Sequence, residues 1–174
     1  MPDVLTHVLV GYVVGSLVAA RRDEVGPAGV TLVMAGALSP DFVKIGLLLP
    51  DGVVESALGV PFSWAPLHAI GGTLVVALLS GRIVAREYRG TAAALVALGA
   101  VTHLFLDSLL LKPSGYAGSF LLPFSVYRSP AGMLYLSSDR WMAPVAAAVA
   151  ASVWAWKRYR HRREGEPQES EAPL

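Results

Sequence analysis

Five long apolar segments dominate the 174-residue chain and constrain its fold more than any other feature. They cover about residues 4–20, 29–49, 66–84, 91–111 and 141–156. A bilayer core needs about 20 apolar residues per helix, with 17 to 25 tolerated, so the last segment is marginal. None of the segments shows the alternation of a membrane-barrel strand. We therefore predict an all-α integral-membrane bundle of about five transmembrane helices.

The composition supports a membrane protein. Hydrophobic residues make up 54% of the chain and charged residues 16%, against about 25% charged in soluble domains. The net charge of +1 and the lack of a recurring basic face exclude nucleic acid as a predicted partner. The chain has no cysteine, which excludes disulfides and thiolate metal sites. Membrane lipid is the expected partner.

Basic residues are concentrated in alternate connections. They follow the first, third and fifth apolar segments, at Arg21, Arg22, Arg82, Arg86, Arg89, Lys157, Arg158, Arg160, Arg162 and Arg163. The positive-inside rule then predicts a multi-pass protein of the cell membrane with its N-terminus extracytoplasmic and its C-terminus cytoplasmic. We expect one transmembrane domain over residues 1–157. Residues 158–174 are predicted to form a disordered cytoplasmic tail.

Five ionisable residues interrupt the apolar segments at one predicted depth, in the extracytoplasmic half of the bilayer. They are His7, Asp41, His68, His103 and Asp107. His103 and Asp107 are four apart, so they share one face of a helix. Ionisable residues inside a membrane are costly and by default mark functional sites. The alternative is a buried His–Asp hydrogen bond that pins two helices together.

Each of the three histidines has a glycine on its predicted helical face, which should turn it toward the bundle interior rather than lipid. The pairs are His7 with Gly11, His68 with Gly72, and His103 with Gly99.

Pro40 should kink or break the second helix, because it has no N–H to donate and clashes with the preceding turn. Ser39 is then a candidate cap for a new half-helix, with Asp41 in its first turn. This capping role is the structural alternative to a catalytic or metal-binding role for Asp41. Lys44, three residues later, can pair with a carboxylate.

The three histidines and two aspartates are a ligand set that suits a divalent first-row metal, with Zn²⁺ the expected ion. Calcium and magnesium prefer oxygen ligands throughout. Two arrangements remain open. Four of the five residues can ligate one metal while the fifth acts as general base, or carboxylates can bridge two metals.

A long aromatic-rich connection over residues 113–140 follows the fourth segment. Its aromatic side chains are more typical of headgroup anchors than of a substrate-binding lid. Lys44, Arg128 and Arg140 are candidates for binding an anionic substrate group. For the two arginines, the alternative is an ordinary interfacial charge.

The order of these motifs resembles the membrane-bound metal-dependent hydrolase family related to the LexA-regulated inner-membrane protein YdjM. The matching elements are His7, Pro40-Asp41, His68, and His103 with Asp107. Pro113-Ser114-Gly115 and Leu122-Pro123-Phe124 look similar to later family motifs. Two departures stand out: Val43 occupies the position of a frequent second acid, and the third element holds only His68.

The resemblance implies a metal-dependent hydrolase. His7, His68, His103 and Asp107 would be its metal ligands, with Asp41 a further ligand or the catalytic base. A site in the outer leaflet favours a lipid-like ester, phosphoester or amide, or another small molecule, as substrate. The alternative function is a non-catalytic, metal-stabilised membrane protein. An ion or proton pathway is disfavoured, because the inner halves of the segments are apolar.

Overall fold

A computed structural model describes residues 4–164, apart from the side chains of His161 and Glu164. Over that range the chain forms six α-helices and three short 3₁₀ segments and contains two isolated bridges but no extended strand. The helices are α1 (Val4–Ala19), α2 (Pro27–Leu38), α3 (Asp51–Leu58), α4 (Ile70–Ile83), α5 (Arg89–Ser108) and α6 (Met142–Glu164). The 3₁₀ segments are Ser39–Leu47, Ala65–His68 and Arg86–Tyr88. The all-helical fold class is therefore confirmed.

Helix α2 lies at the centre of the bundle, between α1 and α5, while α4 packs on α5 and α6 on α1. Glycines allow these close approaches, as the sequence predicted for α1 and α5. A Cβ at Gly11 would lie 2.8 Å from the Cβ of Ala37. A Cβ at Gly99 would lie 2.6 Å from the backbone nitrogen of the same alanine. The α1, α2 and α5 backbones are therefore nearly in contact around Ala37.

The pairing of His68 with Gly72 on one helical face is wrong. His68 lies in a 3₁₀ segment, and Ala69 then adopts extended backbone angles (φ −139°, ψ 167°), so α4 begins only at Ile70. Gly72 instead packs against the backbone of Pro66 and Leu67. The glycine thus permits the tight turn before α4 rather than contact with another helix.

The second helix changes form where Pro40 predicts a break. The α-helix ends at Leu38, and Ser39 begins the 3₁₀ segment that continues to Leu47. The predicted capping role of Ser39 is wrong, because its hydroxyl donates to the carbonyl of Gly36 at 2.9 Å. Leu38 and Ser39 both keep right-handed helical angles, so the helix tightens instead of restarting.

Helix α6 continues past residue 157, where the sequence placed the end of the transmembrane domain. Cation–π pairs four residues apart support this extension, with Arg158 over Trp154 and Arg163 over Tyr159. The basic cluster is therefore helical as far as Glu164. The remainder of the predicted tail, from residue 165, lies outside the described residues.

Two helical stretches, Pro27–Leu47 and Arg86–Ser108, are long and apolar enough to cross a membrane. Val4–Ala19 and Ile70–Ile83 are apolar but shorter. The number of membrane crossings and the orientation of the termini stay predictions.

Candidate metal centre

The helix directions bring four chain segments to one end of the bundle. Helix α1 runs antiparallel to α2, because Gly11 faces Ala37 and Gly15 faces Val30. Helices α2 and α5 run in the same direction, since Gly29 lies near Leu95 and the carbonyl of Ala37 contacts His103. The start of α1, the end of α2, the start of α4 and the end of α5 therefore meet. These are the segments that carry His7, Asp41, His68, His103 and Asp107.

His103 is fixed by the backbone of α2. Its Nδ1 lies 2.7 Å from the carbonyl oxygen of Ala37, and the ring is fully buried. A carbonyl can only accept, so Nδ1 is the donor in this hydrogen bond. Nε2 of the same ring lies 3.6 Å from Oδ2 of Asp107. The contact predicted from their four-residue spacing is therefore present.

His68 repeats this arrangement from the other side of the carboxylate. Its Nδ1 lies 3.3 Å from the carbonyl oxygen of Pro40, to which it donates. Its Nε2 lies 2.9 Å from Oδ2 of Asp107. The His68 side chain is 18% exposed, whereas Asp107 is buried. His68 is thus the member of this group that reaches the protein surface.

His7 completes the buried group by stacking on His103. Their ring centroids are 3.7 Å apart and the rings are 16° from parallel. Nε2 of His7 lies 3.5 Å from Oδ1 of Asp107. Neither ring nitrogen of His7 has a hydrogen-bond partner, and the same holds for Nε2 of His103 and Oδ1 of Asp107. Buried polar atoms without partners are costly, so this cluster calls for an additional partner.

A divalent cation fits these residues. His7, His103 and Asp107 offer three ligand atoms that all lie within 4.8 Å of one another. Two imidazoles and one carboxylate are a ligand set of catalytic zinc sites, which keep a further position open. The Ala37 carbonyl orients the ring of His103 as outer-shell groups do in metal sites.

Asp41 is buried beside this group but lies outside the three-atom set. Its Oδ2 is 2.9 Å from Nζ of Lys44, so the predicted pairing of these two residues is present. Asp41 follows Pro40, whose carbonyl accepts from His68. Asp41 is therefore one residue away from Pro40, which contacts His68. Lys44 is 38% exposed and is paired with this carboxylate.

The connection between α5 and α6 folds back over the site. The edge of Phe120 lies against His68, with centroids 5.7 Å apart. Backbone hydrogen bonds hold this part of the connection to the start of α4, from Ile70 to Phe120 and from Gly71 to Leu122. Lys112 lies over the Phe120 ring at 5.6 Å. The contact of Phe120 with His68 was not predicted, because sequence spacing does not show where a long connection returns.

Tyr135, in the connection between α5 and α6, contacts the end of α5. It is buried, and its hydroxyl donates to the carbonyl of Leu106 at 2.6 Å. Burial raises the pKa of Tyr135, and the nearby charge of Asp107 raises it further. The phenol therefore keeps its proton and its hydrogen bond.

The two arginines predicted to bind substrate lie on the same connection, and both are exposed. Nε of Arg128 donates to the hydroxyl of Ser119 at 3.1 Å. Neither Arg128 nor Arg140 belongs to the group of three ligand atoms. Their role in substrate binding stays a prediction.

Comparison with known families identifies a match over most of the chain. The sequence profile described as YdjM inner membrane protein matches residues 1–166. No curated protein and no solved structure matches the chain.

Proposed function

The chain belongs to the YdjM inner membrane protein family, and on that premise we propose that it is an integral-membrane, metal-dependent hydrolase of a lipid-like ester, phosphoester or amide. The observation that carries the proposal is the convergence of His7, His103 and Asp107, whose ligand atoms lie within 4.8 Å of one another. Four polar atoms in this group have no hydrogen-bond partner. A buried cluster with surplus lone pairs favours a cation over a hydrogen-bonded pair.

The proposed ligands are His7, His103 and Asp107, and zinc is the expected ion. Held by these three residues, a divalent cation would polarise a carbonyl or phosphoryl oxygen and acidify water. Asp107 is shared among the three histidines, with contacts of 2.9 to 3.6 Å. It therefore also fixes the relative position of their rings.

His68 has a different proposed role from the other histidines. Sequence analysis counted it as a metal ligand, but it lies outside the three-atom group and reaches the surface. Its Nε2 points at the cluster while Nδ1 donates to Pro40. We assign His68 to proton transfer between substrate and site, a task that suits a partly exposed imidazole.

Asp41 is the proposed base that positions the attacking water, one of the two roles that sequence analysis left open for it beside that of a metal ligand. Its carboxylate is buried and is balanced by Lys44 at 2.9 Å. Lys44 thus places a positive charge beside the carboxylate that would act as the base. Because Lys44 is partly exposed, an anionic substrate group can also interact with it.

The location of the cluster supports a substrate from the membrane. The site lies at the ends of α1, α2 and α5, beside Phe120 and the partly exposed His68. Large apolar side chains at this end of the fold, among them Phe42, Phe105 and Phe124, are exposed. A bilayer would cover such side chains, and a lipid can approach the site from that direction.

The test is metal content followed by turnover, on protein purified in detergent without chelator. We expect about one equivalent of metal in the wild type and loss of metal in His103→Ala. The matched control is Leu104→Ala, which removes a buried neighbour on the same helix but no ligand. Mixed phospholipids and simple esters are then assayed by mass spectrometry. A metal-free wild type would refute the metal centre, and a loaded but inactive protein would refute the hydrolase.

The second candidate function is a metal-stabilised protein without turnover. Its support is the burial of His7 and His103, both 0% exposed, with Asp107 at 1%. Structural metal sites are closed, whereas catalytic sites keep a position open. Cobalt substitution distinguishes the two: an open site changes its visible spectrum when a small anion such as azide is added, and a closed site does not.

A further inference from the structure

A second potential site lies at the opposite end of the bundle from the metal centre. A cavity of about 340 Å³ opens between the α1–α2 turn and α6. Its lining includes Ala19 and Val25 on one side and Trp156, Lys157 and Arg160 on the other. His7 and Ala19 are separated by about 18 Å along α1, at 1.5 Å per residue. The cavity is therefore distinct from the His/Asp cluster.

The cavity has a basic character. Lys157 and Arg160 line it, and Asp23 is the acidic residue among its lining. The guanidinium of Arg160 lies over the Trp156 ring at 5.5 Å, which fixes its direction. Arg22, next to Asp23 in the sequence, pairs with Glu24 at 3.6 Å. The lining therefore carries a net positive charge, which favours an anion.

An apolar groove lies beside this basic cavity. It has a volume of about 420 Å³ and runs between α1 and α6. Its lining is Leu17, Ala148, Val149, Ser152, Val153 and Trp156. Trp156 borders both spaces, so the basic cavity and the apolar groove adjoin. Together they form a two-part surface, polar at the helix ends and apolar toward the middle of the bundle.

We propose that an anionic phospholipid binds in this two-part surface, with its phosphate at Lys157 and Arg160 and an acyl chain along the groove. The polarity of the surface matches the order of parts in a phospholipid. Basic residues at helix ends near a membrane surface attract anionic lipids. A lipid held there would join α1 to α6, which packs on α1. This inference is independent of the proposed hydrolase activity.

The test compares two lipids with identical chains, dioleoylphosphatidylglycerol and dioleoylphosphatidylcholine, by native mass spectrometry of the full chain in detergent. We expect tighter binding of the anionic lipid to the wild type. The variant Lys157→Gln/Arg160→Gln should bind it about 30-fold more weakly, since each of the two basic residues near a membrane surface contributes about fivefold. The control Arg82→Gln/Arg86→Gln removes the same charge from α4 and its following turn, and should bind normally.

A substitution in the apolar groove tests the contribution of the groove separately from that of the basic cavity. Ser152→Phe should weaken the diacyl lipid but leave binding of glycerophosphoglycerol, which has no chains, unchanged. Equal binding of both lipids by the wild type would overturn the proposal. So would an equal loss in the Arg82/Arg86 control, which would indicate unspecific charge attraction. A wild-type dimer that Ser152→Phe dissociates, without lipid selectivity, would show that the groove is an interface between copies of the chain.

Discussion

Replacing Gly99 by alanine should weaken metal binding without touching any ligand. The new Cβ would overlap the carbonyl oxygen of Val33 and would lie 2.6 Å from the nitrogen of Ala37, where ordinary contact begins at 3.4 Å. Both neighbours are backbone atoms of α2, so the helices must move apart by at least about 0.8 Å. Such overpacking costs about 1–3 kcal/mol, partly offset by about 1 kcal/mol of helix propensity.

Moving α2 and α5 apart would lengthen the hydrogen bond that orients the His103 ring. The hydrogen bond from its Nδ1 to the Ala37 carbonyl is 2.7 Å long. An added displacement of about 0.8 Å would exceed the usual limit of about 3.2 Å for such a bond. Loss of an outer-shell partner lowers metal affinity by about 10- to 100-fold. We therefore expect a Gly99→Ala protein that folds but binds zinc at least 10-fold more weakly than the wild type.

The assay is a competition titration of zinc against a chromogenic chelator, with helix content followed by circular dichroism. Gly90→Ala is the matched control, because it lies on the same helix and a Cβ there meets nothing within 4 Å. It should bind zinc as the wild type does. Wild-type affinity in Gly99→Ala would refute the argument that close contact between α2 and α5 orients the ligands. An equal loss in both variants would refute it as well.

Three further predictions concern the site and its surroundings. His68→Ala should keep its metal and lose about 10²- to 10⁴-fold in turnover, whereas His103→Ala should lose the metal. If elemental analysis shows that His68→Ala contains no metal, His68 is a metal ligand. Removing metal with a chelator should lower the melting temperature of the wild type by about 5–10 °C. The estimate uses about 2.7 kcal/mol of stabilisation when the metal concentration is about a hundred times Kd. The chelator should leave the melting temperature of His103→Ala unchanged. Tyr135→Phe removes the donor to the Leu106 carbonyl and should lower the free energy of unfolding by about 0.5–1.5 kcal/mol in denaturant titrations. Its metal content should not change, and a loss of metal would show that Tyr135 acts on the site.

The sequence predicted that His7, His103 and Asp107 come together because helical periodicity and membrane energetics act locally. The four-residue spacing of His103 and Asp107 is enough to place them on one face. The cost of ionisable groups in an apolar segment then selects His7, Asp41 and His68 as their companions. The family match over residues 1–166 agrees with the resemblance read from these motifs.

Other features depend on contacts that no local pattern encodes. Ser39 was predicted to cap a helix, but its hydroxyl finds the carbonyl of Gly36 within the same turn. Phe120 and Tyr135 reach the site through the return path of a long irregular connection. The extension of α6 beyond residue 157 rests on side-chain pairs between aromatic and basic residues. The periodicity of apolar residues in the sequence does not indicate any of these contacts.

The site residues are carried by two kinds of backbone. His7, His103 and Asp107 lie on packed α-helices, whereas Asp41 and His68 lie on 3₁₀ segments at either side of a largely exposed excursion over residues 48–60. A 3₁₀ segment has poorer hydrogen-bond geometry than an α-helix and deforms more readily. Variation in the excursion can therefore shift the proposed base and the proposed proton carrier while the helices that carry the proposed metal ligands stay in place. Substrate preference can diverge within this scaffold without rebuilding its core.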